Sequence, residues 1–227
     1  FLDELARVFT GKQKNNFKIT TKWDGAPAVF CGIYPGTKKF FVGTKSVFNV
    51  NAKINFTEED VDYNHGSSPG LAVKLKDCLK YLPELGIEGV AQGDLLFTDD
   101  KVEKNIKGTN CVIFQPNTIT YCIPQEDELY TKALKAKVGV VFHTSYTGND
   151  IGSMNAKFGY DVSKLNDTKN VLVLSAETGQ LGKDVLLTPS EKNNLTKLKD
   201  TSKSSLSKAS SFLNTVAEQI ESKDQLV

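Results

Sequence analysis

The stretch Thr20-Thr21-Lys22-Trp23-Asp24-Gly25-Ala26-Pro27-Ala28-Val29-Phe30-Cys31 decides how the rest of the chain reads. It begins at the end of an alternating run, Phe17 to Thr21, and passes into a small apolar one, Ala26 to Cys31. Period-two alternation and a short apolar run are both strand signals, so Lys22 is expected in a strand-to-strand turn. An amine held there can attack an electrophile if desolvation or nearby positive charge lowers its pKa from about 10.4. Gly25 permits close backbone approach by a ligand, and Asp24 offers a partner for the amine or for a polar group of that ligand. A solvated lysine in a surface turn is spelled with the same letters.

Outward from this stretch, Leu2, Leu5, Ala6 and Phe9 fall at helical spacing before Gly11. Tyr34-Pro35-Gly36-Thr37 is a turn, and Lys39 to Thr44 is aromatic and β-branched, so a hairpin or meander is expected. Asn49 to Ser68 is polar and reads as a loop, with His65 exposed beside Gly66. Leu71, Leu75, Cys78, Leu79 and Leu82 predict a helix that stops at Pro83. Val90 to Phe97 reads as a buried strand. Val112 to Phe114 and Thr118 to Ile123 read as short strands around Gln115-Pro116-Asn117. A helix over Glu126 to Lys137, a strand over Val138 to Thr144, a weaker helix over Gly152 to Phe158 and a strand over Val171 to Leu174 complete the body. Short strands with a few helices predict an α+β fold rather than regular βαβ units.

The C-terminal part is different. Thr188-Pro189-Ser190-Glu191 is a capping box with proline at the first helical position. Leu195, Leu198, Leu206, Ala209, Leu213, Val216 and Ile220 then make an apolar stripe. A long amphipathic helix of roughly 30 residues is expected, far above the usual length. It either packs on the body or docks a partner, and polar Ser202 interrupts the stripe. The expected division is a domain over 1–185 and a helix over 188–223.

Composition sets limits. With 28 Lys+Arg against 27 Asp+Glu the chain has a formal charge of +1, which argues against coating nucleic acid by bulk electrostatics. Arg7 is the only arginine, so every phosphate contact near the motif would be a lysine, a point charge without a bidentate fork. The cysteines Cys31, Cys78, Cys111 and Cys122 show no zinc-ligand spacing and are expected to be free thiols in a reducing compartment. No apolar run approaches the roughly 20 residues of a membrane span, and no signal peptide is evident. The chain starts at Phe1 and has a single methionine, Met154, so a processed product or a piece of a longer protein is expected.

Lys22-Trp23-Asp24-Gly25 is followed in order by Gly43-Thr44-Lys45-Ser46, Gln92-Gly93-Asp94-Leu95, Thr118-Ile119-Thr120-Tyr121 and Val138-Gly139-Val140-Val141-Phe142-His143. This series resembles the covalent nucleotidyltransferases: RNA ligases, DNA ligases and mRNA-capping enzymes. Its wider wording is also similar to uncharacterised ligase-like proteins of large tailed phages. The resemblance covers roughly residues 15 to 145. It implies a nucleotidyltransferase fold of the ligase adenylation type, ATP-grasp-like, with antiparallel sheets. It further implies ATP and Mg2+ as cofactors, Lys22 as the nucleophile that becomes a lysyl-AMP, and a nucleic-acid end as acceptor.

By the same resemblance Asp24, Gly25, Lys45, Gln92, Asp94 and Tyr121 contact the nucleotide, and His143, at the end of its strand, is a further candidate contact. Phe114 competes with Tyr121 for the stacking role, and Asp94 holds the metal, with Asp24 a second carboxylate. His143 reads either as a phosphate donor or as a satisfied structural residue, and Trp23 either as a pocket wall or as core. Where the family has Glu-Gly-hydrophobic-Val for the metal, this chain has Val138-Gly139-Val140-Val141. Lys135-Ala136-Lys137 has the spacing of the phosphate-binding lysines but precedes that segment. The alternative is therefore a catalytically degenerate nucleotide-binding module, or a phage structural or assembly protein using the C-terminal helix for a protein partner or self-association. A cytoplasmic protein is expected, in the host cytoplasm or the virion for a phage.

Overall fold

The computed structural model describes residues 18–180 and 187–224, together with Arg7. Apart from Arg7, the helix expected over Leu2 to Phe9 lies outside the described residues. Residues 20–178 form one compact unit, and residues 1–19 with 179–227 another. In chain order the elements are β1 (Lys18–Thr20), β2 (Ala28–Ile33), β3 (Phe40–Gly43), α1 (Glu58–His65), α2 (Pro69–Tyr81), β4 (Val90–Phe97), β5 (Val102–Ile106), β6 (Thr109–Phe114), β7 (Tyr121–Pro124), α3 (Tyr130–Lys135), β8 (Val138–Thr147), β9 (Asn155–Phe158), β10 (Val171–Ser175), β11 (Glu177–Gln180) and α4 (Pro189–Asp224). The fold is mixed α+β, as expected.

The main sheet has the order β10-β8-β4-β2-β3, with β9 pairing the far half of β8. Its ladders are antiparallel except β8 with β10, which run parallel from Val138↔Val171 to Phe142↔Ser175. Alternation turns Val29, Cys31, Ala91, Leu95, Val140 and Phe142 to one face. There they meet Val61 of α1 and Ala72, Leu75 and Cys78 of α2. Helix α2 forms where the apolar spacing predicted, with Pro69 at its first turn. It yields to a 3-10 turn over Leu82–Leu85, closed by Gly86 at φ 65°, a left-handed position suited to glycine.

The opposite face carries two further apolar clusters. Phe30, Phe41, Val47 and Val90 gather toward the start of β4. Leu96, Phe97, Val112, Phe114, Val141 and Leu172 gather toward its end, where the antiparallel sheet β5-β6-β7 supplies Val112, Phe114 and Ile123. Fully burying a side chain such as Phe97 or Leu75 contributes roughly 1.5–3 kcal/mol. The four cysteines are free thiols: Cys31, Cys78 and Cys111 are buried and Cys122 is exposed.

Four expectations are corrected. The segment read as a loop over Asn49 to Ser68 contains α1, because Thr57 and Asp60 close a capping box. Thr57 Oγ1 accepts from Asp60 N (3.2 Å) and Asp60 Oδ2 accepts from Thr57 N (3.0 Å). His65, expected in solvent, is only 7% exposed. The helix expected over Gly152 to Phe158 is a 3-10 turn (Ile151–Ser153) followed by β9, whose hydrogen bonds go to the end of β8. The helix expected over Glu126 to Lys137 shrinks to α3. Asp127 Oδ1 caps Leu129 N (2.8 Å) before it, and Lys137 N already donates to Asn170 O (2.7 Å) beyond it.

In the other unit, α4 has 36 residues and starts at the expected capping box. Thr188 N donates to Glu191 Oε2 (2.8 Å), and Glu191 N donates to Thr188 Oγ1 (3.3 Å). Ser202, which interrupts the apolar stripe, donates its hydroxyl to Leu198 O (2.8 Å) and so satisfies itself within the helix. Leu198, Leu206, Phe212 and Leu213 are exposed.

Candidate functional site

Lys22 lies on a loop fastened at both ends. Thr21 N donates to Ala176 O (2.8 Å); on the other side Ala26 N donates to Leu95 O (2.9 Å) and Leu95 N to Pro27 O (3.0 Å). Between these anchors Lys22 and Trp23 face a cleft of about 380 Å³ in the unit spanning residues 20–178. Asp94 comes to the same cleft from β4, Val141 and His143 from β8, and Phe158 from β9, with Thr20, Thr21 and Ala176 completing the lining.

Two irregularities in the β4/β8 ladder put Asp94 and His143 side by side. Gln92 pairs with Thr144 but Gly93 pairs with Phe142, which makes His143 an extra residue on β8. Leu95 pairs with Val140 but Phe97 pairs with Gly139, which makes Leu96 an extra residue on β4. Asp94 sits between the two bulges, opposite Val141. His143 Nε2 is 3.7 Å from Asp94 Oδ1, with side chains 19% and 25% exposed. The ring's other nitrogen, Nδ1, is 2.8 Å from the hydroxyl of buried Thr144, and Phe158 stacks on it at 6.2 Å and 24°.

The Lys-x-Asp-Gly motif divides its labour. Asp24 does not join Asp94 in the cleft; its carboxylate grips the β6–β7 turn. Oδ1 accepts from Asn117 Nδ2 (2.9 Å), and Oδ2 accepts from Thr118 N (2.8 Å), Thr118 Oγ1 (2.7 Å) and Ile119 N (2.8 Å). The Thr118 hydroxyl first, then the Ile119 N–H and the Asn117 amide, hold this carboxyl well below the usual carboxylate range. Gly25 is needed for contact within the chain: a Cβ there would stand 2.4 Å from the Asp94 Cβ and 3.0 Å from Leu95 O. The loop that carries Lys22 is thus seated directly on Asp94.

The other expected residues lie apart from this trio. Tyr121 accepts from Asp24 N at its hydroxyl (2.8 Å), and its ring stacks on Phe114 (5.4 Å, 21°). Trp23 lies 5.3 Å from Tyr121. Gln92 Oε1 accepts from Tyr146 OH (2.7 Å). Lys45 is exposed in a 3-10 turn (Lys45–Phe48) and does not line the cleft. The aromatic surfaces on the cleft are instead Trp23, whose buried Nε1 lacks a hydrogen-bond partner, and Phe158, 61% exposed. Nothing in the sequence marked Phe158, because it follows no apolar alternation.

Among the described residues no group of three His, Cys, Asp or Glu is placed to hold a metal ion. A second cleft, about 500 Å³, is lined by Glu88, Lys157, Tyr160, Asp161 and Lys164 among others. Its acids and lysines balance, and it contains none of the motif residues. Among the described residues no helix is long and apolar enough to cross a membrane. No curated protein and no solved structure matches the chain. A family model matches residues 1–227, and the chain belongs to that family, DUF6267, a family of unknown function.

Proposed function

We propose that this protein is a ligase-type nucleotidyltransferase with the corresponding adenylation-domain fold. Lys22 takes the adenylyl group of ATP and passes it to a nucleic-acid end. What carries the reading is the meeting of two distant motifs. Lys22 of Lys-Trp-Asp-Gly and Asp94 of Gln-Gly-Asp-Leu line one cleft, and the motif's own glycine packs on the Asp94 Cβ.

The neutral Lys22 amine attacks the α-phosphorus, a P–N bond forms, and the bond from α-phosphorus to the bridging oxygen breaks. Pyrophosphate leaves with that electron pair. The proton shed by the amine leaves on the departing pyrophosphate. A phosphate-terminated nucleic-acid end then attacks the same phosphorus and frees Lys22. Trp23 and Phe158 offer flat surfaces to a base. A divalent cation, Mg2+ by the family resemblance, would neutralise the leaving phosphate charge; Asp94, the only carboxylate lining the cleft among the described residues, is the residue to hold it.

Incubation with ATP labelled at the α-phosphate should yield a covalent adduct on Lys22 that Lys22→Ala abolishes. Absence of label with all four nucleotides, with Mg2+ and with Mn2+, rejects the activity. A degenerate nucleotide-binding module is the second reading, and one observation favours it. Val138, where the resemblance expects the metal glutamate, is fully buried on the helix-covered face, so a carboxylate there would point away from the cleft. That reading predicts quenching of Trp23, the only tryptophan, on ATP addition without any adduct.

A further inference from the structure

We propose that Asp94 and His143 form a divalent-cation site selective for a nitrogen-accepting ion such as Mn2+ over Mg2+. Asp94 Oδ1 and His143 Nε2 are 3.7 Å apart, too far for a hydrogen bond. Two donors about 2.1–2.2 Å from one ion, at octahedral to tetrahedral angles, stand roughly 3.0–3.6 Å apart. A closure of a few tenths of an ångström would let both atoms bind one ion.

Three features point the same way. Among the described residues, no donor lies within hydrogen-bond reach of the Asp94 carboxylate, whose half-buried side chain lines the cleft, so its oxygens are open to an ion. The His143 ring is fixed through Nδ1 by the Thr144 hydroxyl at 2.8 Å. Such an outer partner orients a metal-binding imidazole and, when Nδ1 carries the proton, leaves the Nε2 lone pair free. The β8 bulge is what brings His143 beside Asp94.

An imidazole ligand discriminates against Mg2+, which demands oxygen donors and gives up its water reluctantly. With two protein ligands, the remaining positions fall to water or to phosphate oxygens. The use of the ion in phosphoryl transfer rests on the proposed function; its binding does not.

The chain contains only two histidines, His65 and His143, so their imidazole NMR signals can be followed separately. Titration with Mn2+ alone should broaden His143 well before His65, which is buried on the helix-covered side. Asp94→Asn should abolish the selectivity, and Thr144→Val should raise the Mn2+ needed by about tenfold. A roughly tenfold excess of Mg2+ should leave the broadening in place. His143→Gln gives a second readout, loss of the water-proton relaxation enhancement that bound Mn2+ produces. Parallel broadening of both histidines, wild-type broadening in Asp94→Asn, or recovery with Mg2+ overturns the proposal. No nucleotide is present, so the adduct assay and this titration can fail separately.

Discussion

Replacing Gly25 by alanine tests whether the Lys22 loop is seated on Asp94. The new Cβ would meet the Asp94 Cβ at 2.4 Å, whereas carbon atoms settle at about 3.5–4.0 Å. The loop must therefore lift from β4 by roughly 1.1–1.6 Å. Two hydrogen bonds hold it down, Ala26 N to Leu95 O at 2.9 Å and Leu95 N to Pro27 O at 3.0 Å. A lift of that size takes both beyond hydrogen-bond range, at a net cost of about 0.5–1.5 kcal/mol each. Leaving the loop in place instead means overpacking, which costs about 1–3 kcal/mol. Either route gives a loss of about 2 kcal/mol. For the unit of residues 20–178 that lowers Tm by about 4–8 °C. Thermal unfolding followed by circular dichroism measures it, with Gly70→Ala in α2 as control, since nothing lies within 4 Å of a Cβ there. If Gly25→Ala melts no lower than Gly70→Ala, the seating is wrong.

Asp24→Asn should speed amide exchange at Thr118 and Ile119, whose N–H groups donate to the carboxylate. In the wild type, Asp24 titrates below its unfolded value, so its stabilisation is complete above about pH 4 and lost only as pH falls through the lower folded value. Protection of both amides should thus persist at pH 4, after correction for intrinsic exchange. His65 behaves oppositely in position on the pH scale: burial, and then Lys53, lower its pKa from 6.5. The unfolded chain binds its proton first, so stability falls as pH drops below about 6.5, and His65→Gln should flatten the Tm profile between roughly pH 7 and 5. Thr188→Ala removes the capping box of α4 and should cost about 1 kcal/mol, read as lost helical ellipticity on heating.

Legibility followed burial. Helix α2 and strands β2, β4 and β8 were readable because each presents an apolar face at regular spacing. The cap at Thr188 was readable because it needs only four adjacent letters. Helix α1 was not, since its only buried side chains are Val61 and His65. Strands β5 and β9 expose every residue, so no alternation betrays them. At the site, the motif letters singled out Lys22 and Asp94 but not what Asp24 and Gly25 do. Those roles depend on where the turn 117–119 and β4 lie in space. The approach of His143 to Asp94 depends on a register shift that no residue type encodes. Phe158 becomes a cleft wall only through the pairing of β9 with β8.

That register shift makes His143 structurally omissible. Each bulge is a single insertion in one strand, and outside the pair the ladder runs as though neither existed: Gln92 opposite Thr144 on one side, Phe97 opposite Gly139 on the other. Excising His143 would leave Gly93 facing Phe142 and Gln92 facing Thr144, with no strand residue changing face. A chain one residue shorter should therefore fold as before while lacking the imidazole beside Asp94. In this sheet the imidazole beside Asp94 and the scaffold are expected to separate by deletion, where a point substitution would still leave a side chain at the bulge.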